Sequence, residues 1–151
     1  MFQSGLSPAT AGLIEDATTL TAEFVSAGYI VHLFLEGFSP LPTSTHADFL
    51  ANEATFTGYS FITLGGTGHL FSVPVINSTG QVVVASAPAN WVASDAVSPN
   101  MIAGMWIENT ANGVRRYVVF PTPLPMNAAL QFIDATIYEA PGGGGYVEIN
   151  N

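Results

Sequence analysis

The side chains best suited to metal binding or acid–base chemistry in this sequence are three histidines, His32, His46 and His69. His46-Ala47-Asp48 comes nearest to a ligand pair, but no third donor follows at the spacing of a metal site. Donors that are distant in sequence can still converge in a fold. The pattern favours a loop histidine, or an Asp48 that caps the start of a helical turn, and it predicts neither a metal nor a cofactor.

Nucleophilic catalysis and phosphate binding find no support in the sequence motifs. The chain has no Gly-x-Ser-x-Gly nucleophile elbow. Residues 65–68 (GGTG) are rich in glycine, but a Walker A loop requires a lysine, and the chain contains none. This segment and the glycine run at residues 142–145 are typical of turns and flexible joints. We therefore predict that the chain is not an enzyme and has no catalytic residues.

Two further patterns concern carbohydrates. Asp134 and Glu139 are five residues apart on one predicted strand, so they face opposite sides and do not form a glycoside-hydrolase pair. A sugar-stacking platform is one use of the aromatic residues, although aromatics in a β-sandwich more often belong to the core or an interface. The platform candidates are Trp91, Trp106, Tyr59 and Tyr117.

The only lysine or arginine side chains are Arg115 and Arg116, which follow the turn signal Asn112-Gly113. A two-residue hairpin turn at this signal would place Arg116 opposite Asn109. Because successive strand residues point to opposite faces, the two arginines do not form one basic patch. We predict that Arg115 pairs with Glu108. Arg116, at the rim of the core face, should reach a carboxylate in its own chain or on a neighbouring subunit.

Composition excludes several classes of protein. The formal net charge is −9 and the pI is near 4.2, so phosphate backbones and anionic membranes are repelled, and we predict no nucleic-acid or membrane partner. Only 9% of the residues are charged, against about 25% in an average soluble domain. Such a surface suits a protein that packs against neighbours, and a secreted or thermally hardened monomer is the alternative.

Turn signals and apolar patterning predict an antiparallel β-sandwich or jelly roll with one short N-terminal helix. The helix is expected within residues 7–26. Strands are expected at residues 29–36, 54–64, 69–76, 80–86, 101–109, 114–120 and 129–139, with a hairpin across residues 77–79. The predicted division is an N-terminal arm (residues 1–28), a sandwich domain (residues 29–140) and a glycine-linked C-terminal arm (residues 141–151).

One block of the sequence resembles a known family. Residues 32–45 (HLFLEGFSPLPTST) and their continuation through residues 47–59 resemble small virion proteins encoded among the structural genes of tailed bacteriophages. The segments AGMW at 103–106 and FPTP at 120–123 fit the same pattern more loosely. The resemblance implies a jelly-roll-like sandwich that acts as a capsid decoration (cement) protein, or else as a tail or fibre component, and it transfers no catalytic residues.

The expected function is therefore that of a decoration protein on the outer surface of a phage capsid. It would bind the major capsid protein as a homo-oligomer, a dimer or trimer, and its acidic charge fits a position away from the packed DNA. A tail-fibre or receptor-binding module is the alternative. Residues 147–149 could add a strand to the sheet edge of an adjacent subunit. The interface candidates are Phe2, Leu6, Arg116, Tyr146, Val147 and Ile149.

Overall fold

Nine β-strands and one short helix form the regular structure of the residues that the computed structural model describes, 29–64, 74–97, 100–109, 113–140 and 145–151. The helix, α1, spans His46–Leu50. The strands are β1 (Tyr29–Leu35), β2 (Ile62–Leu64), β3 (Val75–Ile76), β4 (Val82–Ala85), β5 (Ala89–Val92), β6 (Asn100–Asn109), β7 (Gly113–Met126), β8 (Phe132–Glu139) and β9 (Tyr146–Asn150).

Some predictions fall on residues outside these ranges. They are the N-terminal helix and arm, with the interface candidates Phe2 and Leu6, and the histidine at position 69. The side chain of Arg115, predicted to pair with Glu108, also lies outside the described part. In the described ranges, no helix combines the length and the apolar character needed to cross a membrane.

The strands form two antiparallel sheets that pack face to face. One sheet has the order β2-β1-β6-β7, and the other has the order β3-β4-β8-β5 with β9 paired to β8. Val31 and Met105 from the first sheet share one core cluster with Val84 and Ile133 from the second, and all four are fully buried. The predicted all-β sandwich is confirmed, since each sheet buries one face against the other.

Strand β1 is buried on both faces, as its continuous apolar run predicts. Leu33 lies in the core between the sheets, whereas Phe34 points outward and packs with Phe49 of α1 and Trp106 of β6. The outer face of β1 is thus covered by α1 and the turn that follows it. We call residues 45–53 the α1 cover.

A capping box starts the helix of this cover. Asp48 Oδ2 accepts a hydrogen bond from the Thr45 backbone N–H at 2.7 Å, and the Thr45 hydroxyl accepts one from the Asp48 N–H at 3.3 Å. The hydrogen bonds from the Thr45 backbone and hydroxyl lower the pKa of Asp48 below its ordinary value. Asp48 takes part in the helix cap as expected, but as the N3 partner of the N-cap residue Thr45 rather than as the N-cap itself.

The strand predicted over residues 54–64 is largely wrong, because only Ile62–Leu64 pairs as a strand. Gly58 has a φ of +97°, and a Cβ at this position would lie 2.7 Å from the carbonyl oxygen of Val92. The chain therefore turns here at close contact with β5, a strand that the sequence analysis missed. The hairpin across residues 77–79 is confirmed, with Ile76 opposite Val82.

The hairpin between β6 and β7 has a different register from the one predicted. Gly113 already pairs with Asn109 as part of β7, and Arg116 lies opposite Ile107 rather than opposite Asn109. The register shifts between Ile107 and Glu108, so a bulge replaces the regular ladder that a two-residue turn at Asn112-Gly113 would give.

Strand β7 continues beyond its predicted end, through the prolines at 121, 123 and 125, to Met126. The carbonyl of Met101 accepts a hydrogen bond from the N–H of Glu36, so the backbone of Met101 faces β1. Its partner Pro125 therefore turns its nitrogen away from β6, toward the outer edge of the sheet. A proline is tolerated there because no ladder hydrogen bond needs its missing N–H.

The C-terminal residues belong to the sandwich. Tyr146–Asn150 form β9, which pairs with β8 of the same chain from Tyr138↔Tyr146 to Asp134↔Asn150. This corrects the expected C-terminal arm that adds residues 147–149 to an adjacent subunit. The physical reason is that β8 presents an unpaired edge, and Val147 and Ile149 pack against the core when they cover it.

Candidate functional site

Arg116 links the two sheets at one end of the sandwich. Its Nη1 lies 3.3 Å from Glu139 Oε1 of β8, and its Nη2 donates a hydrogen bond to the carbonyl of Gly145, just before β9. The Arg116 and Glu139 side chains are 19% and 4% exposed. The prediction that Arg116 reaches a carboxylate is confirmed, and that carboxylate is in its own chain. Arg116 is also one of the residues that line a cavity of about 290 Å³, together with Phe49 and Tyr117.

The other described interface candidates also make contacts within the chain. Tyr146 stacks on Tyr138 with ring centroids 4.5 Å apart. The Tyr138 hydroxyl donates a hydrogen bond to Glu148 Oε2 at 3.0 Å, and this bond raises the pKa of Tyr138. Val147 and Ile149 are partly buried against the core. Arg116 thus lies at the start of β9, and one edge of β9 is hydrogen-bonded to β8 of the same chain.

The burial of both tryptophans supports the core reading of these aromatic residues and not the sugar-stacking alternative. Trp91 is 2% exposed and its Nε1 donates a hydrogen bond to the Ser60 carbonyl at 2.9 Å, while Trp106 is fully buried beneath the α1 cover. Neither indole face is available to a ligand. Asp134 and Glu139 alternate in burial along β8 and take different partners, Asn90 and Arg116, so they form no catalytic pair.

The structure assembles a cluster of ionisable side chains that the sequence analysis missed. His32 Nδ1 lies 2.6 Å from Glu53 Oε1, and His32 Nε2 lies 3.1 Å from Glu108 Oε2. His46 Nε2 lies 2.9 Å from the same oxygen of Glu108, and the Tyr59 hydroxyl donates to Glu53 Oε1 at 2.7 Å. We call these five residues the histidine–glutamate cluster.

The cluster sits where β1, β6 and the α1 cover meet. His32 comes from β1, Glu108 from β6, and His46 and Glu53 from the two ends of the α1 cover. The His32 ring is buried and stacked on Trp106, with centroids 4.0 Å apart and planes 10° from parallel. The Tyr59 hydroxyl also accepts a hydrogen bond from the Leu33 N–H at 3.2 Å.

The cluster has the residue types of a metal site but not its geometry. Among the described residues, no group of three or more histidine, cysteine, aspartate or glutamate side chains is placed to hold a metal ion. The two histidine rings contact carboxylate oxygens instead of converging on a common point. The arrangement can hold and redistribute protons, since each contact joins a nitrogen or hydroxyl to a carboxylate.

An exposed apolar surface lies at the start of β8, at the opposite end of this strand from Glu139. Leu130, in the turn before this strand, is 81% exposed and has a φ of +68°, in the left-handed region that leucine rarely adopts. Phe132 and its cross-strand partner Val92 are 41% and 39% exposed. We call these three residues the Leu130 patch. A groove of about 260 Å³ runs between Leu130, Phe132, Pro125 and Asn151.

The turn holds Leu130 in this conformation through Gln131. The Gln131 side-chain oxygen accepts hydrogen bonds from the N–H groups of Asn127 and Ala128, at 2.6 and 2.9 Å. The Leu130 N–H donates to the Ala93 carbonyl at 2.9 Å. No sequence pattern pointed to this site, because residues 129–139 were predicted as one strand and no glycine marks the turn.

Comparison of the chain with protein-family models, with curated protein sequences and with solved structures gives no match.

Proposed function

We propose that this chain is a decoration protein of a tailed-phage capsid, with a jelly-roll-like fold, and that the Leu130 patch is its contact with the major capsid protein. The chain would bind the outer capsid surface as a homo-oligomer and stabilise the junctions between capsid subunits. This proposal has three supports: the resemblance of residues 32–59 to phage virion proteins, the acidic and charge-poor composition, and the exposed patch.

The single observation that carries a binding role is the conformation of Leu130. A non-glycine residue in the left-handed region costs about 1–2 kcal/mol. An 81% exposed leucine side chain recovers little of this by burial within the chain. Burying it against a partner would contribute roughly 1.5–3 kcal/mol. A scattered exposed leucine is ordinary, but one held in strain beside Phe132 and Val92 is suited to intermolecular contact.

The resemblance block supports a structural role for the same chain. Its aromatic residues Phe34 and Phe49 pack edge to face at 6.0 Å and fasten the α1 cover to the first sheet. The tail-fibre alternative has lost its main support, because Trp91 and Trp106 are buried and provide no ligand platform. The proposal therefore favours the head of the particle over the tail.

The test is binding to purified heads of the encoding phage that lack the protein. Leu130→Asn is the informative variant, because asparagine tolerates the left-handed conformation and is polar. Val97→Asn is the matched control, since Val97 is 80% exposed in a different loop. We expect Leu130→Asn to lower occupancy at least tenfold, in sedimentation and electron microscopy, while Val97→Asn binds like the wild type.

Two results would count against the proposal. Equal occupancy by both variants would remove the Leu130 patch from the contact. Failure of the wild-type protein to bind heads, or its localisation to tails in intact particles, would refute the decoration function itself.

A further inference from the structure

The hydrogen bonds of the histidine–glutamate cluster require more protons than its neutral histidines and ionised glutamates supply. Four contacts join the five residues: His32 to Glu53, His32 to Glu108, His46 to Glu108, and Tyr59 to Glu53. Each contact needs one proton between its two heavy atoms. Tyr59 and a neutral His46 supply one proton each, and a neutral His32 supplies one for its two contacts. The set is therefore one proton short.

The missing proton has two places to reside. It converts His32 to an imidazolium with both nitrogens donating, or it converts Glu53 or Glu108 to a carboxylic acid that donates to His32. In either form the five residues hold one additional proton and carry a net charge one unit less negative than the deprotonated set. Without it, a ring nitrogen lone pair of His32 faces a carboxylate oxygen at the distances observed.

Water has little access to relieve that contact. The His32 side chain is 5% exposed, and the side chains of Glu53 and Glu108 are 22% and 19% exposed. Trp106 stacks on the His32 ring, and the ring of Phe61 lies 5.5 Å away. Among the described side chains, the ionisable groups that face His32 are Glu108 from β6 and, from the cover, Glu53. His46 and Tyr59 contact these same carboxylates.

The cluster connects the α1 cover to the first sheet. His46 and Glu53 belong to the cover, whereas His32 and Glu108 belong to β1 and β6. Beyond Phe49 packing, the cover is joined to β1 by backbone hydrogen bonds, from Leu35 N–H to Asn52 and from Ala54 N–H to Leu33, both 2.9 Å long. Loss of the proton would leave one of the two His32 contacts unmade and two carboxylates beside a neutral ring, one of them that of Glu53 at the end of the cover.

We propose that the histidine–glutamate cluster is a proton-binding site that acts as a pH-sensitive clasp for the α1 cover. With the proton bound, all four contacts are made and the cover is closed on the sheet. When rising pH removes that proton, one of the four contacts is lost and the cover loosens. This inference does not depend on the proposed decoration function, because it concerns a different surface of the molecule.

Glu53→Gln is the variant that tests whether the cover needs the added proton, because it can keep the contacts of the cluster without that proton. His32 Nδ1 and the Tyr59 hydroxyl contact the same oxygen of Glu53, and an amide nitrogen in its place carries two protons. This nitrogen donates to a neutral His32 Nδ1 and to the Tyr59 hydroxyl oxygen, so all four contacts form without an added proton. The cover then stays closed as the pH rises. Glu148→Gln is the matched control, since Glu148 lies on β9, outside the cluster, and accepts a hydrogen bond from the Tyr138 hydroxyl.

The measurement is amide hydrogen exchange at about pH 6 and about pH 8.5, corrected for the intrinsic pH dependence of exchange. In the wild-type protein and in Glu148→Gln we expect exchange in residues 46–54 to rise about tenfold or more relative to β8. In Glu53→Gln this rise should vanish. An equal rise in Glu53→Gln, or none in the wild type, would overturn the clasp.

A direct proton count keeps the inference testable if Glu53→Gln does not fold. In the wild-type protein at about pH 6, nitrogen and carboxyl NMR shifts should show either both His32 nitrogens protonated or one protonated carboxyl at Glu53 or Glu108. A neutral His32 beside two ionised carboxylates at that pH would overturn the proposal.

Discussion

Arg116 of β7 and Glu139 of β8 place a guanidinium nitrogen and a carboxylate oxygen 3.3 Å apart between the two sheets of the sandwich. The chain has only two arginines and no lysine, and one of these two cations is used to join the layers. Glu139 is nearly inaccessible to solvent, so its charge depends on the partner that neutralises it.

Removing only the cation should destabilise the sandwich. Arg116→Met leaves the buried carboxylate of Glu139 without its ion-pair partner, and we expect a loss of about 3 kcal/mol in the free energy of unfolding. The double variant Arg116→Met, Glu139→Leu removes both charges and should be more stable than the single variant. Urea denaturation at neutral pH measures both. A double variant less stable than Arg116→Met would show that Glu139 stabilises the fold through other contacts.

Alkaline pH should destabilise the protein through Tyr59. Burial, together with the hydrogen bond and charge of Glu53, raises the pKa of the Tyr59 hydroxyl well above its ordinary value of about 10. The unfolded chain ionises first, so the stabilisation is fully present below about pH 10 and is lost as the pH rises above it. Urea midpoints between pH 9 and pH 11, a range set by the tyrosine reference value of about 10, should fall less steeply in Tyr59→Phe.

Tyr138→Phe is the control for this pH dependence. Its hydroxyl is solvent-exposed and its contact with Glu148 is screened, so its removal should change the slope less than removal of Tyr59. Identical slopes for the wild type and Tyr59→Phe would contradict the assignment to Tyr59.

Two glycines with nearly equal φ angles should differ in their tolerance of alanine. Gly58 and Gly37 have φ of +97° and +96°, so Gly→Ala introduces a left-handed strain of about 1–2 kcal/mol at either site. The Cβ at 58 also lies 2.7 Å from the Val92 carbonyl, whereas the Cβ at 37 has no atom within 4 Å. We expect thermal denaturation to show Gly58→Ala as the less stable variant, by roughly 1–3 kcal/mol. Equal stabilities would mean that the Val92 contact relaxes without penalty.

Leu130→Gly should leave the fold intact or stabilise it by up to about 1 kcal/mol, because glycine adopts the left-handed conformation without strain. Val97→Gly, at an equally exposed position without a positive φ, should lose roughly 0.5–1 kcal/mol through the greater entropy of its unfolded chain. Chemical denaturation of the isolated proteins measures both. A clear loss of stability in Leu130→Gly would show that the leucine side chain supports its own chain rather than a partner.

The sequence predicted those elements whose local pattern is unambiguous. The apolar run of β1, the long strands β6 and β8 and the cap at Asp48 follow from residue type and spacing alone. The prediction of a strand at 54–64 was wrong because aromatic residues of this segment pack into the core from a turn. The contact of Gly58 with β5 fixes that turn. Such contacts depend on tertiary packing, which local β-propensity does not contain.

The candidate site was less predictable for the same reason. His32 and Glu108 are separated by 76 residues, and His46 and Glu108 by 62, so no motif spacing joins them. The contact between His32 and Glu108 depends on the strand register. Strands β1 and β6 pair directly and place His32 opposite Trp106, two residues before Glu108. The position of Arg116 near the rim of a core strand predicted that it contacts a carboxylate, but it did not predict that this carboxylate belongs to Glu139.

The orientation of Pro125 has a consequence for how densely copies of this chain can be packed. An outer edge that offers no N–H at this position cannot hydrogen-bond a further strand in the regular ladder, so the first sheet terminates there instead of extending from molecule to molecule. The net charge of −9 makes copies of the chain repel one another, but salt screens this repulsion. Proline in β7 supplies a stereochemical barrier to fibril growth that salt does not weaken.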